Sequence, residues 1–181
     1  MTGLLQHIVA QQRKPRSEWV RKTAIVVFPL IFLTLIFSPG YFLGPQVDAL
    51  LSIQRIAPSP INYYVGGLIF LAGLFLYLWT IVLFALIGEG TQTPTVPTRR
   101  LITSGPFAYS RNPMVSGVIL LITGLGLLGN SIGFIAVGLI IPFTYLIFIK
   151  LVEEKELEAQ FGQEYLEYKT RVPFIIPKFW G

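Results

Sequence analysis

NPMVSGVILLITGLGLLGNSIGFIAVGLIIPFTYLIFI, residues 112–149, holds no charged residue across 38 positions. As one straight helix it would reach roughly 57 Å, nearly twice the ~30 Å hydrocarbon core of a bilayer. The stretch must therefore fold back. Gly129-Asn130-Ser131 lies near its middle, and Gly and Asn tolerate the left-handed backbone that a tight turn needs. The spacing predicts a helical hairpin with arms Pro113–Leu128 and Ile132–Ile149.

Two more apolar runs precede it. Thr23–Leu43 is 21 residues without a charge and Ile61–Ile87 is 27, or roughly 31 and 40 Å as helices. The first can cross directly, and the second must tilt or extend into the headgroups. The expected fold is an all-α integral membrane protein, a single membrane domain over residues 1–181. It has four transmembrane helices, the last two a hairpin, and a cytoplasmic C-terminal helix. A cleaved leader is not expected, because the polar lead is long and no A-x-A site follows the first run.

Composition agrees with this reading. Of 181 residues 53% are apolar and 13% charged, which excludes a disordered chain, a nucleic-acid-binding module and an ordinary soluble enzyme with nearer a quarter charged. There is no Cys, and the one His is His7, so neither a disulfide framework nor a zinc site is expected. No internal repeat or second domain is evident.

The net charge of +5 matters less than its distribution. Four crossings put residues 1–22, 88–111 and the tail from Lys150 on one side, with 13 Lys and Arg; the other side has only Arg55. The positive-inside rule makes the basic side, and both termini, cytoplasmic. No ionisable residue falls within a span, which argues against ion pumps and proton-coupled transporters. Chemistry is then expected at the cytoplasmic face, from residues 88–112 and 150–181.

Gly88-Glu89-Gly90 would let a backbone approach a ligand closely, although a turn at a span's end explains it equally well. Arg99 and Arg100 suit the interface. Arg111 differs, because it stands before an Asn-Pro that opens a span. A guanidinium beside a helix N-terminus can hold a carboxylate or phosphate through two parallel hydrogen bonds. In the tail, Glu153 and Glu154 lie within a turn of the bilayer, near where Arg111 should emerge. Lys150 and Glu154 form an i,i+4 pair, and Glu156 and Glu158 read as a solvated face. Phe161, Tyr165 and Tyr168 make an apolar stripe that lies on the membrane or the loop, and Phe174, Ile175, Ile176 and Trp180 read as an interfacial anchor. Leu4, Leu5, Ile8 and Val9 with Arg13, Lys14 and Arg16 could form a short surface helix.

In this order the segments resemble the integral-membrane methyltransferases of the isoprenylcysteine carboxyl methyltransferase and phospholipid N-methyltransferase superfamily. The resemblance rests on Leu101, Gly105-Pro106-Phe107, Arg111-Asn112-Pro113-Met114, Glu153-Glu154, Leu157, Phe161-Gly162, Glu164-Tyr165, Tyr168, Val172-Pro173 and Ile176-Pro177. It implies S-adenosylmethionine as methyl donor and an acceptor, lipid or small hydrophobic molecule, that enters from the bilayer. Carried over residue by residue, it implies a cofactor site of Leu101, Gly105, Phe107, Tyr109, Arg111, Asn112, Pro113, Glu153 and Glu154, with Arg111 and Asn112 catalytic. No metal and no nucleic-acid partner is implied. Asn112 stands where the family often has His, so isoprenylcysteine specificity is not carried over.

The donor's chemistry matches these residue types. Carboxylates suit its ammonium or ribose hydroxyls, an Arg its carboxylate, and aromatic faces its sulfonium. Two other readings compete: an NAD(P)H-dependent membrane reductase of the sterol-reductase type, and a non-catalytic four-helix membrane protein. Gly66, Gly67, Gly73, Gly117 and Gly124 are expected to permit close helix packing, in the bundle or in a homodimer.

Overall fold

The computed structural model describes residues 18–53, 56–88 and 98–177. The proposed N-terminal surface helix, His7, Glu89, Gly90 and Trp180 lie outside them. Among the described residues every regular element is helical. These are α1 (Glu18–Leu50), α2 (Ile61–Leu86), a 3-10 turn (Gly105–Ala108), α3 (Pro113–Leu128), α4 (Ile132–Phe148), a π-turn (Ile149–Glu153), α5 (Glu154–Phe161) and α6 (Gln163–Arg171).

Three helical runs, Thr23–Leu50, Ile61–Leu86 and Ile132–Phe161, are long and apolar enough to cross a membrane; α3 is a shorter apolar helix. Many of their large apolar side chains face outward: Leu30, Leu35, Leu68, Leu71, Phe75 and Ile140 are all more than half exposed. In water such a surface would be an association hazard; against lipid tails it is the expected outer face.

α1 runs past the apolar stretch that announced it. Its end comes at Ser52, whose φ of 51° is left-handed, where the amide of Ile53 donates to Asp48 O at 2.9 Å. The tail is two helices rather than one. Gly162 separates them at φ 57°, ψ −128°, a conformation costly to any residue with a Cβ.

The chain packs as two compact units, one of Met1–Pro29, Trp79–Pro113 and Ile147–Gly181, the other of Leu30–Leu78 and Met114–Leu146. In the second, α2 and α3 meet through small residues. A Cβ on Gly73 would lie 2.7 Å from Leu121 N, and one on Gly124 2.5 Å from Phe70 N. On Gly66 it would lie 2.8 Å from Leu128 N and on Gly117 3.0 Å from Tyr77 N, whereas Gly67 has nothing within 4 Å. Ile36, Tyr77, Val118, Leu121 and Ile122 fill the interior.

The turn between α3 and α4 is tied down by polar groups. Asn130, at φ 56°, accepts from the amides of Ile56 and Ala57 at 2.8 and 3.1 Å and donates to Ala57 O at 2.9 Å. Asp48 accepts from the Gly133 amide at 2.7 Å and from the Ser131 hydroxyl. Asp48, through the Gly133 amide, and Ser131, whose Oγ accepts from the Phe134 amide at 2.9 Å, satisfy donors that the start of α4 leaves open.

Candidate functional site

All the candidate site residues fall in, or at the edge of, the first unit. Gly105 begins the 3-10 turn at φ 62°, a left-handed value that suits glycine. Phe107 is buried, meets Phe84 edge-on with centroids 5.4 Å apart, and gives its carbonyl to the Tyr168 hydroxyl at 2.8 Å. Leu101 packs against a buried cluster of Tyr165, Tyr168 and Val172. Tyr109 is about half exposed, and Pro113 opens α3.

The C-terminal strap crosses this turn. Arg111 donates its amide to Pro173 O at 2.9 Å, and Asn112 donates its side-chain amide to Phe174 O at 2.8 Å. The Asn112 amide in turn donates to Ser110 Oγ at 3.2 Å. The Phe174 ring lies over two cations, with its centroid 5.5 Å from Arg111 Cζ and 5.0 Å from Lys150 Nζ. The interfacial anchor expected of Phe174 is instead a side chain turned onto the arginine; each such cation–ring contact contributes about 0.5–2 kcal/mol.

Arg111 and Glu154 form the core of the site. Their side chains are 8% and 3% exposed, and Arg111 NH1 donates to Glu154 Oε1. On its other oxygen Glu154 takes Lys169 Nζ at 3.0 Å and Lys150 Nζ at 3.3 Å. Lys169 also reaches Glu158 Oε1 at 2.7 Å, so Glu158 is paired rather than part of a solvated face. Glu156 departs from that expectation too, since partial burial raises its carboxyl above the usual range. Tyr165 OH lies 3.5 Å from Arg111 NH1. Burial first, and the Glu154 charge second, raise its phenol.

The π-turn decides which of the twin acids enters this cluster. Ile149 and Glu154 are both buried, although five residues apart. In an α-helix that spacing would leave them roughly 140° apart, and Glu153 would take the inner face. The wider turn brings Glu154 under Ile149, with the Glu154 amide bonded to Ile149 O. Such turns concentrate at functional sites. Glu153 is left half-buried at the edge.

The structure thus brings Arg111, Asn112 and Glu154 together, with Phe107 held to them through Tyr168. Lys169, Tyr165, Tyr168 and Phe174 join this site without being assigned to it from sequence. The Phe161-Gly162-Gln163-Glu164-Tyr165-Leu166-Glu167-Tyr168 pattern was the available signal. Its two tyrosines lie one helical turn apart and are the buried members of α6.

The phospholipid methyltransferase family model matches residues 61–164, more than half of the chain, and includes Arg111, Asn112, Glu153 and Glu154. No curated protein matches the chain. With the family motifs in order and Glu154 folded against Arg111, the chain belongs to the phospholipid methyltransferase family and is an S-adenosylmethionine-dependent methyltransferase.

Proposed function

We propose that the protein transfers a methyl group to the head of a lipid-like acceptor at the cytoplasmic face of a membrane. In this reading α1, α2, α3 and α4 make four crossings, α3 and α4 form a hairpin, and both termini are cytoplasmic. Leu101, Gly105, Phe107, Tyr109, Arg111, Asn112, Pro113, Glu153 and Glu154 form the cofactor site. The family's name makes a phospholipid amine the leading acceptor.

The single observation that carries the site is the state of the Arg111 guanidinium. It is buried beside Phe174, and its Nε has no hydrogen-bond partner among the described residues. An orphaned donor on a buried cation is costly, and a carboxylate meeting that edge would satisfy it. The donor set therefore fits the amino-acid end of S-adenosylmethionine, and the half-buried Glu153 is a second carboxylate whose charge suits an ammonium or hydroxyl.

When bound, the cofactor supplies an electrophilic methyl on sulfur. The protein's own part is alignment and exclusion of water, since an in-line displacement gains most from held geometry. Arg111, fixed by Glu154 and the strap, orients the amino-acid end. Asn112 has no titratable proton and keeps the strap seated, so an amine acceptor either loses its proton to another group or arrives as the neutral amine before it attacks the methyl.

Calorimetry in detergent tests this reading. S-adenosylhomocysteine should give saturable heat and NADPH none. Arg111→Lys, which keeps the charge and loses the fork, should weaken the former about tenfold or more. Unchanged affinity in Arg111→Lys would remove Arg111 from the site.

A further inference from the structure

α6 buries two tyrosines one helical turn apart, Tyr165 at 2% exposure and Tyr168 at 4%. A phenol carries one O–H donor besides the lone pairs that accept, and a buried donor calls for a partner. Tyr168 has one, since its hydroxyl donates to Phe107 O at 2.8 Å. Tyr165 does not. Its oxygen accepts from Arg111 NH1 at 3.5 Å, and its own proton has no acceptor among the described residues.

The neighbouring groups do not supply that acceptor. Glu154 takes Arg111 on Oε1 and Lys169 on Oε2, and no hydrogen bond joins it to Tyr165. Arg111 and Lys169 can only donate. Burial first, and the Glu154 charge second, raise the phenol, so at neutral pH Tyr165 presents an O–H rather than a phenolate.

Two buried donors at one guanidinium are therefore unmet, the Tyr165 hydroxyl and Arg111 Nε. The group that suits them carries lone pairs and, beside an arginine, a negative charge. A hydroxyl or a ring nitrogen offers an acceptor without that charge. A carboxylate offers two oxygens with about four lone-pair sites, enough for both donors.

We infer that Tyr165 is a further binding residue for the methyl donor, its hydroxyl donating to the carboxylate that meets Arg111. The inference rests on the cofactor site proposed above. It adds α6 to that site, through a residue just past the matched segment 61–164.

Calorimetry in detergent tests it with two probes, S-adenosylhomocysteine and its decarboxylated form, on the wild type and Tyr165→Phe. The variant should bind S-adenosylhomocysteine about tenfold more weakly, the worth of one hydrogen bond to a charged group. Its affinity for the decarboxylated form should match that of the wild type, because the acceptor is gone. Thermal unfolding without ligand separates this role from a structural one. Tyr165→Phe removes a donor that the fold leaves unmet and a 3.5 Å contact at the limit of bonding. Its Tm should equal or exceed that of the wild type, whereas Tyr168→Phe should lower it. Equal weakening for both probes, no weakening for either, or a Tm that falls as in Tyr168→Phe would overturn the inference. A variant that fails to fold counts with the last of these. Where the wild type binds S-adenosylhomocysteine and Arg111→Lys weakens it, those outcomes leave the cofactor site standing. A wild type that binds neither probe removes both readings.

Discussion

The side-chain amide of Asn112 donates to the backbone carbonyl of Phe174 at 2.8 Å, across 62 positions of sequence. The residue at the head of α3 thereby clamps the C-terminal strap over Arg111. Asn112 is itself buried, so the clamp is shielded from competing water. Asn112→Ala leaves the Phe174 carbonyl without this donor and should cost about 1–3 kcal/mol. A lowered Tm in detergent, with faster proteolysis within residues 172–177, is the expected result. Asn112→Asp, which keeps the shape but cannot donate, should behave like the alanine variant.

Glu154 and Arg111 should not respond equally to truncation. Removing Glu154 leaves a buried guanidinium with no carboxylate and two lysines beside it. Glu154→Ala should therefore cost about 3–5 kcal/mol. Removing Arg111 leaves Glu154 with Lys150 and Lys169, so Arg111→Ala should cost less. Chemical denaturation of the two single variants and the double variant measures the difference. The double should be more stable than additivity predicts.

Lys169 sets an alkaline limit on stability. Its hydrogen bonds to Glu158 and then Glu154 hold its ammonium above the ordinary lysine value. A cation whose value rises on folding contributes fully below the unfolded value of about 10.4 and is lost as pH climbs through the folded one. The Tm advantage of wild type over Lys169→Met should thus be constant from pH 7 to about 10 and shrink above that. An advantage that instead grew with pH would contradict the assignment.

Tyr168 anchors the turn that carries Phe107. Tyr168→Phe removes the donor to the buried Phe107 carbonyl and keeps the ring, so its effect isolates the hydrogen bond. The expected cost is about 1–2 kcal/mol, with hydrogen exchange accelerated at residues 105–111 ahead of the rest of the unit. S-adenosylhomocysteine affinity should fall in parallel, because the same turn leads into Arg111.

The apolar runs and their breaks were legible residue by residue. Pro113 and Leu128 bound α3 as the uncharged stretch and its Gly-Asn-Ser turn implied, because helix length against bilayer thickness is local arithmetic. The approach of Arg111 to Glu154 also followed, since the two stand just outside opposite ends of one uncharged stretch that is too long to cross a bilayer without folding back.

What sequence could not decide was the identity of the acid and of its company. Hydropathy and α-helical spacing would turn Glu153 inward; a single π-turn turns Glu154 inward instead, and its wider backbone bonding leaves no mark in composition. Likewise Tyr168 and Lys169, in the short helix α6, and Phe174, beyond its end, lie far along the chain from Arg111. Sequence alone determined the helices and the ends at which charge gathers, because burial in lipid acts on every residue of a span independently. Tertiary structure decided which charges meet, because a buried pair is selected by the geometry of several distant segments at once.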